Sequence, residues 1–199
     1  MTVRQRQSMP HLSLGTALAI VALIVALQAL LLWLMGRVPI CTCGYVKFWE
    51  GDVLSSGNSQ HISDWYTFSH FVHGFGFYGL LRLARPRWTV AGRLIAAVCI
   101  ESSWEVLENT DLVIRAYRAE TISRNYYGDS IVNSVSDTIS AIVGFALAAS
   151  LPVWLTVACA LVLEAVPAYA IHDNLTLNVI MLLHPIPWVK AWQAGAPLH

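Results

Sequence analysis

Apolar residues dominate from Leu12 to Met35, and after Thr16 only Gln28 interrupts them. At about 1.5 Å per residue, a helix of that length reaches across about 30 Å of hydrocarbon. Four further apolar stretches follow. The pattern predicts helices over about 12–35, 65–84, 89–109, 131–150 and 153–171. They are separated by a polar segment from Gly36 to Trp65, the turn "RPRW", a second polar segment from Thr110 to Ser130, and a short turn at Pro152. A signal peptide has a shorter apolar core and a small-residue cleavage site, so the first segment reads as an uncleaved transmembrane helix. The tail "NLTLNVIMLLHPIPWVKAW" is apolar but short. Over about 175–189 it leaves three readings open: a sixth span, a re-entrant segment or an interfacial helix. The fold class expected is all-α, a polytopic transmembrane helix bundle of five spanning helices plus this short segment. It forms a single integral-membrane domain over 1–199, without internal repeats.

Composition agrees with that pattern. The chain has 199 residues, 56% hydrophobic and 12% charged, with mean hydropathy +0.57. Soluble domains carry about 25% charged residues, so the first partner expected is a lipid bilayer. The formal net charge is zero, which removes the electrostatic reason to expect a nucleic-acid partner. Arg4, Arg6, Arg82, Arg85 and Arg87 fall on one side of the helices; Arg37, Lys47, Arg115, Arg118 and Arg124 fall on the other. The first helix and the compact "RPR" turn favour a cytoplasmic N-terminus, which puts both long loops outside.

The cysteines divide two and two. Cys99 and Cys159 sit in apolar segments, where cysteine acts as a small hydrophobe. Cys41 and Cys43, in "RVPICTCGY", are closer than the ligands of a zinc knuckle. One intervening residue also disfavours a disulfide. Free or separately paired thiols are expected, with a metal or redox role as the lesser alternative.

The polar exceptions within the helices change the picture most. A charged side chain at mid-bilayer costs about 2.5–3.5 kcal/mol on insertion scales, yet "CIESSWEVLEN" carries Glu101, Glu105 and Glu108. These three span only about 60° of the helix circumference. The second helix carries Ser69, His70 and His73, the fourth Asn133 and Asp137, and the fifth Glu164. Counted from the long-loop ends, these groups fall at similar depth, about 6–15 Å in. A polar chamber between the helices is therefore expected. Glu108 is read as marking its interfacial mouth, His172 and Asp173 as solvated, and His184 as interfacial.

Histidine with carboxylate suits zinc, manganese or iron. The same set also suits proton relay or a hydrogen-bonded structural network. In the fourth helix Ser136, Ser140, Gly144 and Ala148 recur every four residues and predict close helix packing. Gly74, Gly76 and Gly79 suggest similar packing in the second helix.

The segments "RVPICTCGYVKFW", "NSQHISDWYTFSHFVHG", "ESSWEVLEN" and "YYGDSIVNSVSDTISAIVG" resemble an uncharacterised family of small alphaproteobacterial inner-membrane proteins. That resemblance covers most of the chain from Gly36 onward. It implies a multi-pass location in a bacterial inner membrane and supplies no activity. More distantly, Asp64 and His70, then Glu101 or Glu105, then Asp129 or Asp137 with Gly144 are similar to the pattern of VanZ-like membrane proteins. Ser140 stands near where that pattern has Asn. This second resemblance implies a role in the cell envelope.

Three functions compete. In the first, the chain is an intramembrane enzyme acting on a lipid or lipid-linked substrate. His70, His73, Glu105 and Asp137 would hold a divalent metal such as zinc, with Glu101 and Glu105 as the catalytic carboxylates. In the second, the same cluster is the relay of a small proton-coupled transporter, although no repeats support it. In the third, the protein is a non-catalytic accessory whose loop aromatics, among them Trp49, Trp65, Tyr126 and Tyr127, dock a membrane-protein partner.

Overall fold

The computed structural model describes residues 13–195. Among these, eight helices follow one another: α1 (Leu14–Leu34), α2 (Thr67–Ala84), α3 (Val90–Glu108), α4 (Asp111–Glu120), α5 (Ile131–Ser150), α6 (Val153–Ile171), α7 (Leu175–Leu183) and α8 (Pro187–Gln193). The β pairing among them is one isolated bridge between Trp49 and Ser63. Arg4 and Arg6, on which the orientation argument leans, lie outside the described residues, as does Leu12.

The helix starts follow from local chemistry. Ser13, Thr89 and Ser130 each accept the backbone N–H three residues on, which satisfies a donor left open at a helix N-terminus. Pro152 stands at the N-cap of α6. Among the described residues, α1, α5 and α6 are long and apolar enough to cross a membrane. Helices α2 and α3 are of similar length, but their histidines, arginines and glutamates lower their apolar character.

Helix α2 packs tightly on α5. A Cβ added at Gly74 would collide with the Ala141 carbonyl, and one at Gly144 with the Phe71 backbone. The small-residue face of α5 therefore does what small residues do between helices, letting backbones approach. Gly76 and Gly79 behave otherwise than expected, because no heavy atom lies within 4 Å of a Cβ built on either. Below the polar chamber Phe75, Tyr78, Ala97, Phe145 and Ala148 form an apolar core. The rings of Tyr78 and Phe145 meet edge to face there, with centroids 5.2 Å apart.

The long connections gather at one end of the bundle. Gln60 Nε2 donates to the Gly128 carbonyl at 2.8 Å, Asn133 Nδ2 to the His61 carbonyl at 2.9 Å, and Tyr66 Oη to Asp173 Oδ2 at 3.0 Å.

Three sequence expectations need correction, and one of the three readings left open for the tail falls away. Thr110 to Ser130 is not all loop: α4 forms because Ile114 and Tyr117, three residues apart, face inward onto Tyr126. Cys41 and Cys43 are joined to each other. A turn closed by Gly44 N–H donating to the Cys41 carbonyl, with Gly44 at φ +84°, brings their Cα atoms to 5.1 Å. Asp173 is fully buried rather than solvated. The tail does not form a sixth span: α7 has 9 residues, about 14 Å of helix. The chain breaks at Pro185, and Gln193 Nε2 returns to Asp173 Oδ1 at 2.9 Å, beside the start of α7.

Candidate functional site

His70 and His73 lie one turn apart on α2, with Glu101 and Glu105 one turn apart on the facing side of α3. Glu101 joins the histidines. Its Oε1 is 2.6 Å from His70 Nδ1 and its Oε2 is 3.0 Å from His73 Nδ1. An ionised carboxylate only accepts, so both Nδ1 atoms donate to it. Glu105 Oε1 stands 3.3 Å from His70 Nδ1, and Asp137 Oδ2 stands 3.8 Å from His70 Nε2. His70 is thus wedged among acids from α3 and α5. All three acids and His70 are buried, Glu101 and Glu105 almost completely.

Hydroxyl and amide groups hold these acids in place. Ser134 Oγ donates to Glu105 Oε2 at 2.7 Å, and Gln28 Nε2 donates to Ser134 Oγ at 2.8 Å. Thr138 Oγ1 donates to Gln28 Oε1 at 2.9 Å, and Thr67 Oγ1 to Asp137 Oδ1 at 3.1 Å. Glu105 Oε1 is buried and takes no hydrogen bond. A buried acceptor left open calls for a partner.

Two sets of ligand atoms lie within 4.8 Å of one another here, His70–His73–Glu101 and His70–Glu105–Glu108, with His70 common to both. The five residues expected at the site are therefore neighbours. The carboxylate shared by the two histidines is that of Glu101, and Glu105 and Asp137 each approach His70.

Other residues expected in the chamber lie elsewhere. Glu164 accepts the Leu175 and Thr176 backbone N–H groups and caps α7. Asn133 anchors the first loop. Of the two histidines expected outside the chamber, His172 packs on Trp192 with centroids 4.7 Å apart, and His184 is exposed. Cys41, Cys43 and His61 also lie close together, apart in the first loop, but the Cys41–Cys43 disulfide leaves no thiolate there to bind a metal.

Above the cluster lies a second layer of buried polar groups. Asn109 Nδ2 donates to Asp129 Oδ2 at 2.6 Å, and the Asp129 N–H donates back to Asn109 Oδ1 at 2.7 Å. Tyr126 Oη donates to the same carboxylate at 3.1 Å. Burial pushes the Asp129 carboxyl up to about 6. Asp64 accepts from the Ser59 and Tyr66 backbone N–H groups, and burial raises it as well. Gly128 is needed at φ +100°, where a Cβ would also strike the Arg37 guanidinium.

Gln28, Asn109, Tyr126 and Ser134 were missed as site residues from sequence. Gln28 carries a usable signal, as the one polar residue in the apolar run after Thr16. The others sit in segments where polar residues are ordinary.

A cavity of about 310 Å³ opens beside the cluster. His70, His73, Glu108, Asp129 and Asp137 line its polar end, and Phe77, Ile100, Trp104, Val179 and Leu182 its apolar end. Among the described residues, none of Glu101, Glu105, Glu108, Asp129 and Asp137 has a lysine or arginine within 4.0 Å. Buried acids in such surplus must hold protons or a cation.

The chain is 58% identical over 172 residues to a UPF0314 protein of Rhizobium meliloti (strain 1021), covering 86% of this chain and 87% of that protein. It is 53% identical over 173 residues to a UPF0314 protein of Paracoccus denitrificans (strain Pd 1222), covering 87% and 90%. To one from Sphingopyxis alaskensis it is 48% identical over 180 residues, covering 90% and 96%. No solved structure matches. Residues 32–195, which carry the cluster, its loops and the cavity, match the family described as protein of unknown function (DUF2585), and the chain belongs to that family.

Proposed function

We propose that the protein is a metal-dependent intramembrane enzyme acting on a lipid or lipid-linked cell-envelope substrate. It sits in a bacterial inner membrane with five spans, α1, α2, α3, α5 and α6, and a cytoplasmic N-terminus. The histidines and acids of α2 and α3 face into the bundle, which explains how two less apolar helices sit in a bilayer. The observation that carries the reading is the convergence of His70, His73 and Glu101, whose ligand atoms lie within 4.8 Å of one another inside the bundle.

These residues would hold a divalent ion in place of the protons that Glu101 now shares with the two Nδ1 atoms. Such an ion supplies an acidified water and polarises a carbonyl. Glu105 Oε1, buried and without a hydrogen bond, would serve as the general base beside such an ion. Ser134 holds the other Glu105 oxygen and so fixes the carboxylate plane. Asp137 lines the cavity beside His70 and positions the reacting group.

Metal analysis of purified protein tests this. We expect about one zinc, manganese or iron ion per chain, lost in the His70→Ala/His73→Ala double variant. Protein that takes up none of the three on titration, or a double variant that retains its ion, sinks the reading. In nanodiscs, hydrolysis of ester or amide amphiphiles should need Glu105 and stop in Glu105→Gln.

A further inference from the structure

The cavity beside the cluster has a composition that restricts what it can hold. Its polar end presents Glu108, Asp129 and Asp137, and no lysine or arginine is among the described residues that line it. An anionic head group would meet carboxylates there without a lysine or arginine to receive it. Sites that recognise phosphate are built the other way, from arginine, lysine or helix N-termini.

A second observation points in the same direction. Asn178 lines the cavity and is 6% exposed. Its amide nitrogen donates to Asp173 Oδ2 at 3.1 Å and to the Asn174 carbonyl at 3.2 Å. These two acceptors fix the amide orientation, and the remaining atom, Oδ1, is buried with no hydrogen-bond partner. A buried amide oxygen left open is satisfied by a donor. Asn178 Oδ1 thus calls for an O–H or N–H group on the ligand.

The other end is apolar. Trp104 and Ile100 of α3, Val179 and Leu182 of α7 and Phe77 of α2 supply its apolar lining. Ile100 and Val179 remain 46% and 45% exposed at the rim. In the five-span reading that rim faces acyl chains. The volume, about 310 Å³, lies at the small end of ligand pockets, about 300–1,000 Å³. It suits one chain and one small head group.

We propose that the cavity takes a single-chain membrane amphiphile whose head group donates hydrogen bonds and carries no negative charge, entering between α3 and α7. Phospholipids and lipid-linked phosphates are disfavoured, because no lysine or arginine among the described lining residues would receive them. This rests on the membrane reading given above and narrows its substrate class. It does not depend on the metal, because the acids, Asn178 and the apolar wall belong to the chain.

The test uses full-length protein in nanodiscs and two photoreactive probes of equal chain length, a monoacylglycerol and a monoacyl phosphate. The monoacylglycerol should label the Ile100 or Val179 segments saturably, and the phosphate at least about tenfold less. Glu108→Gln with Asp129→Asn should narrow that difference. Val179→Trp should block labelling; if that variant does not fold, Leu182→Phe replaces it, and the comparison of probes needs no variant. Equal labelling by the phosphate, or labelling elsewhere only, overturns the proposal even if the protein holds its metal. Selective labelling of a protein that proves to hold no metal supports it and removes the metal enzyme instead.

Discussion

Glu101 holds His70 and His73 at once, one carboxylate oxygen 2.6 Å from His70 Nδ1 and the other 3.0 Å from His73 Nδ1. One acid on α3 thereby sets the orientation of two rings on α2. Because Glu101 is 1% exposed, water cannot replace it when it is removed.

Glu101→Ala should therefore destabilise the protein by about 3–5 kcal/mol, the range for breaking a buried pair and stranding its partner. Glu101→Gln keeps the shape but loses the charge of a ligand, and should lower the affinity for the proposed metal. Thermal unfolding in detergent and competition with a metal chelator measure the two effects. An unchanged melting temperature in Glu101→Ala would show that the pair carries no stability.

Gly74→Ala and Gly79→Ala form a matched pair. The first puts a methyl against the Ala141 carbonyl; the second puts one into open space. Overpacking should cost about 1–3 kcal/mol at Gly74, with Gly79→Ala within about 0.5 kcal/mol of the parent. Equal melting temperatures for the two variants would refute the close α2–α5 contact.

Asp173 ties α7 and α8 to the bundle, accepting from Tyr66, Asn178 and Gln193. Burial pushes its carboxyl up from 3.8 to about 7. The folded state therefore binds the proton more tightly than the unfolded state does. Stability is fully present below about pH 4 and falls as pH rises toward 7, by at most about 1.4 kcal/mol per pH unit from this group. Hydrogen exchange in α7 should accelerate as pH rises through 7, after correction for intrinsic rates. Asp173→Asn should flatten that dependence, and a wild-type profile in Asp173→Asn would assign the effect elsewhere.

Gln28→Ala removes the link from α1 to Ser134 and Thr138. It strands buried hydroxyl groups and should cost about 1–3 kcal/mol. Ser134 also holds Glu105, so the same variant should weaken metal uptake while leaving the His70–Glu101 pair intact. Metal uptake equal to that of the parent would show that α1 does not support the site.

Much of this was legible in the sequence. The five long helices begin and end within two residues of the expected bounds, because apolar runs and Ser, Thr and Pro caps are local properties. The alignment of His70, Glu101, Glu105 and Asp137 at one depth also follows from spacing alone, given alternating helices. The helix α4 was obscured because its inward face is only Ile114 and Tyr117. The burial of Asp173 was hidden because its partners, Tyr66 and Gln193, are distant in the chain.

What the sequence determined by itself was that acids and histidines lie inside helices and share a level. Which acid meets which imidazole depends on how the helices are rotated and how closely they approach. Only the tertiary structure decided that, through contacts such as Gly74 against Ala141 and Gly144 against Phe71. Hydrogen bonds act over about 3 Å, so small rotations of α2 or α3 would exchange Glu101 for Glu105 at the histidines without altering any spacing along the chain.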